Sequence, residues 1–486
     1  MTTSNLRGAS MALATLLVFL SGCASLSEQS VVTTLADFEA AVADATAGDT
    51  IVMANGVWED VELVLRANGT ADAPVTLTAQ TPGKVIISGQ SNLSLSGEYI
   101  VVSDLVFKNG FTPTSEVIAF RTSKTDLANH SRVTNTVIDS FSNPERHSSD
   151  TWVAIYGKQN RFDHNTLLNK GNRGVTLAVK MNTAEGRENG HVIGYHVFGP
   201  GQTLGSNGGE TLRIGTSHYS REYSNSIVRN NYFDRTSGEL EIISSKSCGN
   251  EISGNVFFEA QGTLTMRHGH YTVVENNYFL GNRKPNTGGI RIINENQTVR
   301  NNYLYGLTGH RFRGAMVIMN GVPNGPINRY DPVINSKLDN NIMIDSDHVQ
   351  LCAGADEERS APPSGTTMHN NLILSQTNLS PFTIYDDVSG ISFEDNLINE
   401  EASVPLESGF ESVDYAVTTN ADGLRVPAQS LVDRIGFGAI RLPVKKSDTG
   451  ATFYKKSELK ADFRSGRQVP VAPGTNTLLS AMQNSA

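Results

Sequence analysis

The chain has few cysteines, few tryptophans and no long hydrophobic segment. Only 3 of its 486 residues are Cys and only 2 are Trp, and 18% are charged. The one long apolar run, residues 11–20, is too short to cross a bilayer, which excludes a transmembrane bundle. A hydrophobic content of 38% with a net charge of −10 excludes a disordered chain, because this composition can bury a core. The length fits two or three ordinary domains or one large repetitive domain.

The chain also lacks an excess of basic residues. It has 39 Lys and Arg against 49 Asp and Glu, and a net-acidic protein is a poor candidate for nucleic-acid binding. We therefore expect no nucleic-acid partner. Any polyanion that the protein handles must meet a local basic groove.

The N-terminus has the pattern of an export signal. Arg7 precedes the apolar run, and the run ends in Leu20-Ser21-Gly22-Cys23, a small-residue box typical of bacterial lipoproteins. This pattern predicts a lipoprotein signal peptide over residues 1–22, lipidation of Cys23 and a polar tether over residues 23–34. Ala24 after the Cys favours the outer membrane of a Gram-negative bacterium, with the membrane contacted only through the lipid. The alternative is an ordinary cleaved secretory peptide, which gives a periplasmic or secreted protein.

The other two cysteines, Cys248 and Cys352, carry no spacing signature. An oxidising compartment permits a bridge between them. We favour small packing residues over a disulfide or a metal site.

One local sequence frame recurs along most of the chain. Residues 35–45 have helical apolar spacing, and from Thr50 onward the sequence consists of short runs rich in Val, Ile, Thr and Phe. Within these runs, Asn recurs in a frame of apolar, two polar, Asn, apolar, apolar. The positions are Asn135, Asn165, Asn231, Asn255, Asn277, Asn302, Asn341, Asn371 and Asn396. The long gap between Asn165 and Asn231 is close to two or three periods with an anchor missed.

Periods of this size indicate a solenoid. Because the repeat lacks helices, and because stacked Asn side chains can bond from coil to coil, the frame predicts an all-β, parallel β-helix. We expect it to span residues 35–443, with the helix at residues 35–45 as its N-terminal cap. Residues 444–486 lose the frame and are predicted to form a C-terminal cap or tail, or the start of a second solenoid.

A cluster of charged residues departs from the repeat. Glu239 and Glu241 are two residues apart, so they share one face of a strand, and Glu210 lies about one period earlier. Stacked coils would gather these three carboxylates, which repel one another unless a cation lies between them. Oxygen ligands of this kind suit Ca²⁺. The alternative is that the glutamates face solvent and pair with Arg213 or Lys246.

Two basic residues follow the glutamates. A cation beside Lys246 would favour its neutral amine, which can act as a base. Arg267, about one period beyond Glu241, can stabilise a leaving oxygen. His268 is a second candidate to supply the proton, with a histidine packed between coils as the alternative.

Several ordered motifs resemble polysaccharide lyase family six, which contains alginate lyases and chondroitinase B. They are AGDTIVMANGVWED, YGKQNRFDHN, NGGETLRIG, ELEIISSK and MRHG, and the likeness is clear from about Asp49 to Asn302. The resemblance implies a right-handed single-stranded parallel β-helix and a Ca²⁺ ion that neutralises the uronate carboxylate.

The resemblance also assigns roles to residues. It implies Glu210, Glu239 and Glu241 as metal ligands, Lys246 as the base and Arg267 as the acid. It suggests five substrate contacts, which are Tyr156, Asn207, Arg213, His268 and Arg291. Glu210 stands where chondroitinase B has Asn, which resembles the alginate branch more.

The resulting hypothesis is an alginate lyase that cleaves the 1,4-glycosidic bond by β-elimination and leaves 4,5-unsaturated uronate ends. We expect it to bind an acidic polysaccharide and to be a monomer. A chondroitin or dermatan lyase, a non-catalytic β-helix protein that binds polysaccharide, and a β-helix glycoside hydrolase are the alternatives. Block preference and the mode of cutting depend on loops such as residues 306–328.

Overall fold

The computed structural model describes Met1 and residues 29–204 and 207–454. The predicted signal peptide, Cys23 and most of the C-terminal tail lie outside the described residues. Nearly all regular structure is strand, and the strands form three long sheets in which every pairing is parallel. The chain passes through sheets 1, 3 and 2 in turn, with few exceptions, which confirms the predicted parallel β-helix.

Sheet 1 contains strands Gln29–Val32, Thr50–Met53, Val75–Ala79, Ile100–Ser103, Arg132–Thr134, Arg161–Asp163, Val192–Gly194, Ile227–Arg229, Glu251–Ser253, Val273–Glu275, Thr298–Arg300, Lys337–Asp339, Thr366–His369 and Ile391–Glu394. Sheet 2 contains Glu62–Asn68, Asn92–Glu98, Glu116–Ala119, Ala128–Asn129, Thr151–Ile155, Leu177–Val179, Leu212–Gly215, Glu241–Lys246, Gly262–His268, Thr287–Ile292, Met316–Met319, Val349–Ala353 and Phe382–Ile384. Sheet 3 contains Gly56–Glu59, Val85–Gln90, Val106–Phe111, Val137–Asp139, Thr166–Leu168, Val197–Phe198, Tyr232–Asp234, Val256–Phe258, Tyr278–Leu280, Tyr303–Tyr305, Ile342–Ile344, Leu372–Leu374, Asn396–Asn399 and Phe410–Val413.

The remaining elements are short. A hairpin pairs Val417–Thr419 with Arg425–Pro427, and the described residues contain two α-helices, Leu35–Asp44 and Gln429–Arg434. Single 3₁₀ turns occur at Ser217–Tyr219, Arg311–Arg313 and Lys446–Asp448. Among the described residues, no helix has the length and apolar character needed to cross a membrane.

The predicted N-terminal helix is present as Leu35–Asp44. Thr34 and Asp37 form a capping box at its start, and Phe38 is fully buried against the first coils. Strand Gln29–Val32 precedes the helix and pairs with Thr50–Met53. Part of the predicted tether therefore belongs to the first coil.

A continuous ladder of side chains explains the Asn frame. The backbone N–H of Asn277 donates to Oδ1 of Asn302, and that of Asn302 donates to Oδ1 of Asn341, each at 3.0 Å. The same bond links the ladder residues Thr136, Asn165, His196, Asn231, Asn255, Asn277, Asn302, Asn341, Asn371 and Asn396. From Asn165 onward, each ladder residue thus satisfies a buried N–H in the coil before it.

Two details of the ladder differ from the sequence frame. His196 occupies the position missing between Asn165 and Asn231, and its Nδ1 accepts the N–H of Asn165 at 3.1 Å. Asn135 lies one position too early, in the left-handed conformation with φ 49°, and Thr136 takes the ladder position. Asn tolerates the left-handed conformation, so the two neighbouring roles look alike in the sequence.

The interior is filled by stacked apolar side chains. Phe198, Phe233, Phe257 and Phe279 stack with ring centroids 4.9, 4.6 and 4.5 Å apart. These distances equal about one strand spacing, so each coil adds one ring to the stack. Cys248 and Cys352 are buried free thiols, in keeping with packing residues.

The chain after the last coil covers the outside of sheet 3. Leu424, Val432 and Ile435 pack against outward-facing tyrosines of that sheet, such as Tyr278 and Tyr303. The segment then runs back towards the N-terminal coils. The N–H of Arg441 donates to the Tyr278 hydroxyl at 3.1 Å, and the Tyr454 hydroxyl donates to Oδ2 of Asp139. The described part of the predicted cap or tail is therefore a strap along the side of the solenoid.

The ladder histidine predicts a pH dependence of stability. Burial lowers the pKa of His196 from its ordinary 6.5 to about 4, and protonation of Nδ1 would break the bond from Asn165. The folded state then binds fewer protons than the unfolded state between these values. The free energy of unfolding should therefore fall as the pH drops from about 6.5 to about 4, by up to about 1.4 kcal/mol per pKa unit.

The substitution His196→Asn, which restores the ladder residue used in most other coils, should flatten this fall in urea unfolding measured across the same pH range. The control is His147→Asn, which changes an exposed histidine outside the ladder and should keep the wild-type slope. An equal slope for wild type and His196→Asn would contradict the account.

Candidate functional site

Four neighbouring strands of sheet 2, and the residues just before two of them, carry the charged cluster. Glu210 precedes strand Leu212–Gly215, and Glu239, predicted to share a strand face with Glu241, lies just before the strand that begins at Glu241. In the strand register, Arg213 lies opposite Ser244, Ser244 opposite Thr265, and Thr265 opposite Arg291. Parallel in-register pairing keeps such residues on one face. The apolar residues that alternate with them point into the core, so this row faces outwards.

One close backbone approach brings two of the glutamates together. Gly209 and Gly238 directly precede Glu210 and Glu239 and lie against each other in adjacent coils. A Cβ on Gly238 would lie only 1.8 Å from the carbonyl oxygen of Gly209. Only glycine allows this approach, so the two glutamates start from neighbouring backbone positions.

Glu210, Glu239 and Glu241 form a tight buried group. One carboxylate oxygen from each lies within 4.8 Å of the others, and all three residues are buried. Burial, together with the charges of Glu210 and Glu241, raises the pKa of Glu239 to about 8. The Oε2 atom of Glu210 is buried and has no hydrogen-bond partner in the described part of the chain. An unsatisfied buried oxygen among crowded carboxylates fits a bound cation, and an all-oxygen donor set fits a hard divalent ion.

Basic side chains surround the carboxylates. Lys246 Nζ lies 3.4 Å and Arg213 Nη1 3.6 Å from Oε1 of Glu210. On the other side, Arg267 Nε lies 3.7 Å and Arg291 Nη2 2.5 Å from Oε1 of Glu241.

These neighbouring charges determine the protonation state of Glu241. Burial disfavours the charged form of Glu241, but Arg291 and Lys246 outweigh it and hold the pKa below its ordinary value. The site thus has an ionised Glu241 and an amine beside Glu210.

His268 interacts with Arg267 rather than with the carboxylates. Its Nε2 lies 3.1 Å from Nη1 of Arg267, and because a guanidinium only donates, Nε2 is the acceptor. Burial and the charges of Arg267 and Lys246 lower the pKa of His268 to about 3. The imidazole is therefore neutral near pH 7 and has no extra proton to supply.

The other predicted substrate contacts lie in different surroundings. Asn207 is exposed in the loop before Glu210. Arg291 is fully buried against Glu241, and Tyr156 is buried three strands away from Lys246, where its hydroxyl donates to Glu116 at 2.5 Å. The roles of all three in substrate binding stay predictions, and the placements of Arg291 and Tyr156 are those of supporting residues.

The structure adds residues that the sequence did not single out. The ring of Tyr330 lies under the guanidinium of Arg267, with 4.0 Å from Cζ to the ring centroid. Further along the sheet, Arg121 covers the ring of Tyr156 at 4.0 Å and Lys180 lies 3.9 Å from Glu116. The strand register could have located Lys180, which follows strand Leu177–Val179 as Lys246 ends its own strand. No periodic signal marks Tyr330, because it lies in a long loop.

Comparisons with known proteins agree on the family. The Chondroitinase B family model matches residues 32–442. The structure of the PL6 family alginate lyase AlyGC is 50% identical, with a TM-score of 0.87, over 89% of this chain and 59% of that chain. This chain therefore spans less than two thirds of AlyGC. A comparison with curated proteins finds no match.

Two further solved structures extend the likeness. A mannuronic acid specific polysaccharide family 6 lyase from human gut microbiota is 30% identical, with a TM-score of 0.75, over 88% of this chain and 96% of that chain. A PL6 family polysaccharide lyase from Pseudopedobacter saltans is 21% identical with a TM-score of 0.71, over 88% of this chain and all of that chain, and supports the fold alone. With most of its length matched, the chain belongs to polysaccharide lyase family six, the Chondroitinase B family.

Proposed function

We propose that the protein is an alginate lyase that cleaves 1,4-linked uronate chains by β-elimination. The observation that carries the proposal is the amine of Lys246, 3.4 Å from Glu210 within the buried group of three glutamates. Abstraction of a proton next to a carboxylate requires a base beside a centre of positive charge, and Lys246 beside a cation held by the three glutamates would provide both. The 50% identity to a protein described as an alginate lyase supports the choice of substrate.

Glu210, Glu239 and Glu241 would hold the metal ion, which we propose to be Ca²⁺ because hard oxygen ligands completed by water suit it. When bound, the ion neutralises the uronate carboxylate and stabilises the negative charge that develops beside it.

The protein's own residues supply the rest of the chemistry. Lys246 takes the C5 proton of the uronate, the electrons of the C5–H bond form the C4=C5 double bond, and the C4–O4 bond breaks. Arg267 acts as the acid and gives a proton to the departing O4, which leaves as a hydroxyl; Lys246 releases the C5 proton to water and Arg267 regains one from water. Arg213 attracts the carboxylates of neighbouring sugars. The products are a new chain end at O4 and a 4,5-unsaturated uronate.

The three glutamates proposed as metal ligands favour alginate over chondroitin and dermatan as the substrate. Glu210 stands where the resemblance gives chondroitinase B an Asn, and the third carboxylate makes the site more acidic. A non-catalytic binding protein is disfavoured, because a buried group of three carboxylates beside a lysine costs stability and adds nothing to simple binding.

The base is tested by the substitution Lys246→Ala. Because removal of a general base costs about 10²- to 10⁴-fold, the variant should lose at least about 100-fold in kcat on alginate, measured well below its own unfolding midpoint. The measurement is the ultraviolet absorbance of the new double bond, with dermatan sulfate assayed in parallel. The matched control is Lys337→Ala, on the exposed face of sheet 1, which should keep wild-type turnover. Steady wild-type turnover by Lys246→Ala would refute the assigned base.

We also propose that the protein is a monomer attached to the outer membrane of a Gram-negative bacterium through lipid on Cys23. The support is the small-residue box that ends in Cys23, preceded by the apolar run. In cells fed a labelled fatty acid, the full chain should incorporate label and fractionate with the outer membrane. The Cys23→Ser variant should lose the label, whereas Cys248→Ser, at a buried thiol, should keep it. Label retained by Cys23→Ser would contradict the anchor.

A further inference from the structure

The guanidinium of Arg267 is held on three sides. Its Nε faces Glu241 at 3.7 Å, its Nη1 faces His268 at 3.1 Å, and its flat face lies 4.0 Å from the ring centroid of Tyr330. Within residues 29–204 and 207–454, no hydrogen bond from Nη2 is found, and the ion pair with Glu241 is made through Nε. The nitrogen that remains free is therefore the one available to a bound substrate.

Tyr330 belongs to a loop that spans the site, residues 320–331, which we call the bridging loop. The loop follows strand Met316–Met319, and near its tip the carbonyl of Ile327 accepts a hydrogen bond from Oγ of Ser220 at 3.2 Å. Ser220 follows strand Leu212–Gly215, which lies four strands away in the sheet. At about 4.8 Å per strand, the loop reaches across about 19 Å, past the ends of the strands that carry Lys246 and Arg267.

The bridging loop is fixed at several points. Gly321 exchanges backbone hydrogen bonds with Ala361 at 2.9 and 3.0 Å, and the carbonyl of Asp331 accepts the N–H of Asn294 at 3.3 Å. Within the loop, the N–H of Val322 donates to the carbonyl of Tyr330 at 2.7 Å. These bonds define where the backbone of Tyr330 lies.

The ring of Tyr330 is fixed as well. Arg359 lies 5.9 Å from the same ring, so two guanidinium groups, those of Arg267 and Arg359, are attracted to it. Beside the ring, Arg329 forms an ion pair with Glu358 at 2.9 Å. The aromatic face therefore has a fixed place against which a long, flexible arginine side chain can rest.

We propose that Tyr330 is a positioning residue for the lyase reaction, because its ring orients Arg267 so that Nη2 addresses the departing O4. This inference rests on the proposed function. The leaving oxygen gains negative charge only as the C4–O4 bond breaks, so a misplaced guanidinium weakens the transition state more than it weakens substrate binding. The signature of the role is a loss in kcat with little change in KM.

The variants Tyr330→Leu and Tyr330→Phe distinguish a role of the aromatic ring from a role of side-chain volume. In the full chain with CaCl₂ and alginate, Tyr330→Leu should lower kcat about 10- to 100-fold, the range expected from misplacing a catalytic group by about 1 Å, with KM changed less than about threefold. Tyr330→Phe keeps the ring and should stay within about twofold of wild type. Unchanged kcat in Tyr330→Leu would overturn the proposal, as would a loss confined to KM, which would mark a substrate contact instead.

A second readout does not depend on the substrate. Phenylglyoxal reacts with accessible guanidinium groups, and peptide mass spectrometry reports the rate at each arginine. Arg267 should be labelled faster in Tyr330→Leu than in wild type and Tyr330→Phe, with Arg213, which Tyr330 does not touch, as the internal reference. Equal labelling of Arg267 in all three proteins would overturn the positioning role. If the wild type cleaves no alginate, the proposed function fails, and the labelling still decides whether Tyr330 holds Arg267.

Discussion

The parallel pairing of neighbouring coils, about 4.8 Å apart, is the constraint on which every distance in the site depends. It brings Glu210 beside the strand that begins at Glu241, although 30 residues separate the two glutamates, and it aligns Arg213 with Arg291 along one outer row. The glycines before Glu210 and Glu239 bring these two glutamates closer together, because the backbones of the glycines are in contact. A rigid solenoid can therefore hold like charges close together, where a flexible loop would let them separate.

The buried charges of the site lower the stability of the folded protein. Three carboxylates are buried together, and the raised pKa of Glu239 shows how strongly burial and its neighbours oppose its charge. Lys246, Arg213, Arg267 and Arg291 offset part of this cost at Glu210 and Glu241. The rest of the molecule provides the stability that such a site requires, through the side-chain ladder, the stacked phenylalanines and the C-terminal strap over sheet 3.

The sequence predicted the parts of the structure that repeat. The Asn frame indicated the solenoid because each ladder residue performs the same local task, and the spacing of Glu210, Glu239 and Glu241 predicted their meeting because it equals about one coil. The Asn pattern did not identify His196 as a ladder residue, because an imidazole nitrogen accepts there the hydrogen bond that an amide oxygen accepts in other coils. The strap and Tyr330 could not be predicted, because their contacts join residues far apart in the chain and follow no period.

The central claim is that the three glutamates hold one divalent cation beside Lys246. Isothermal titration calorimetry of the chelator-treated full chain with CaCl₂ tests it most directly, with the Glu239→Gln variant beside the wild type. We expect one ion bound per wild-type chain and binding at least about tenfold weaker in Glu239→Gln, because the variant loses a charged oxygen ligand. Equal binding by the two proteins, or no binding by the wild type, would contradict it.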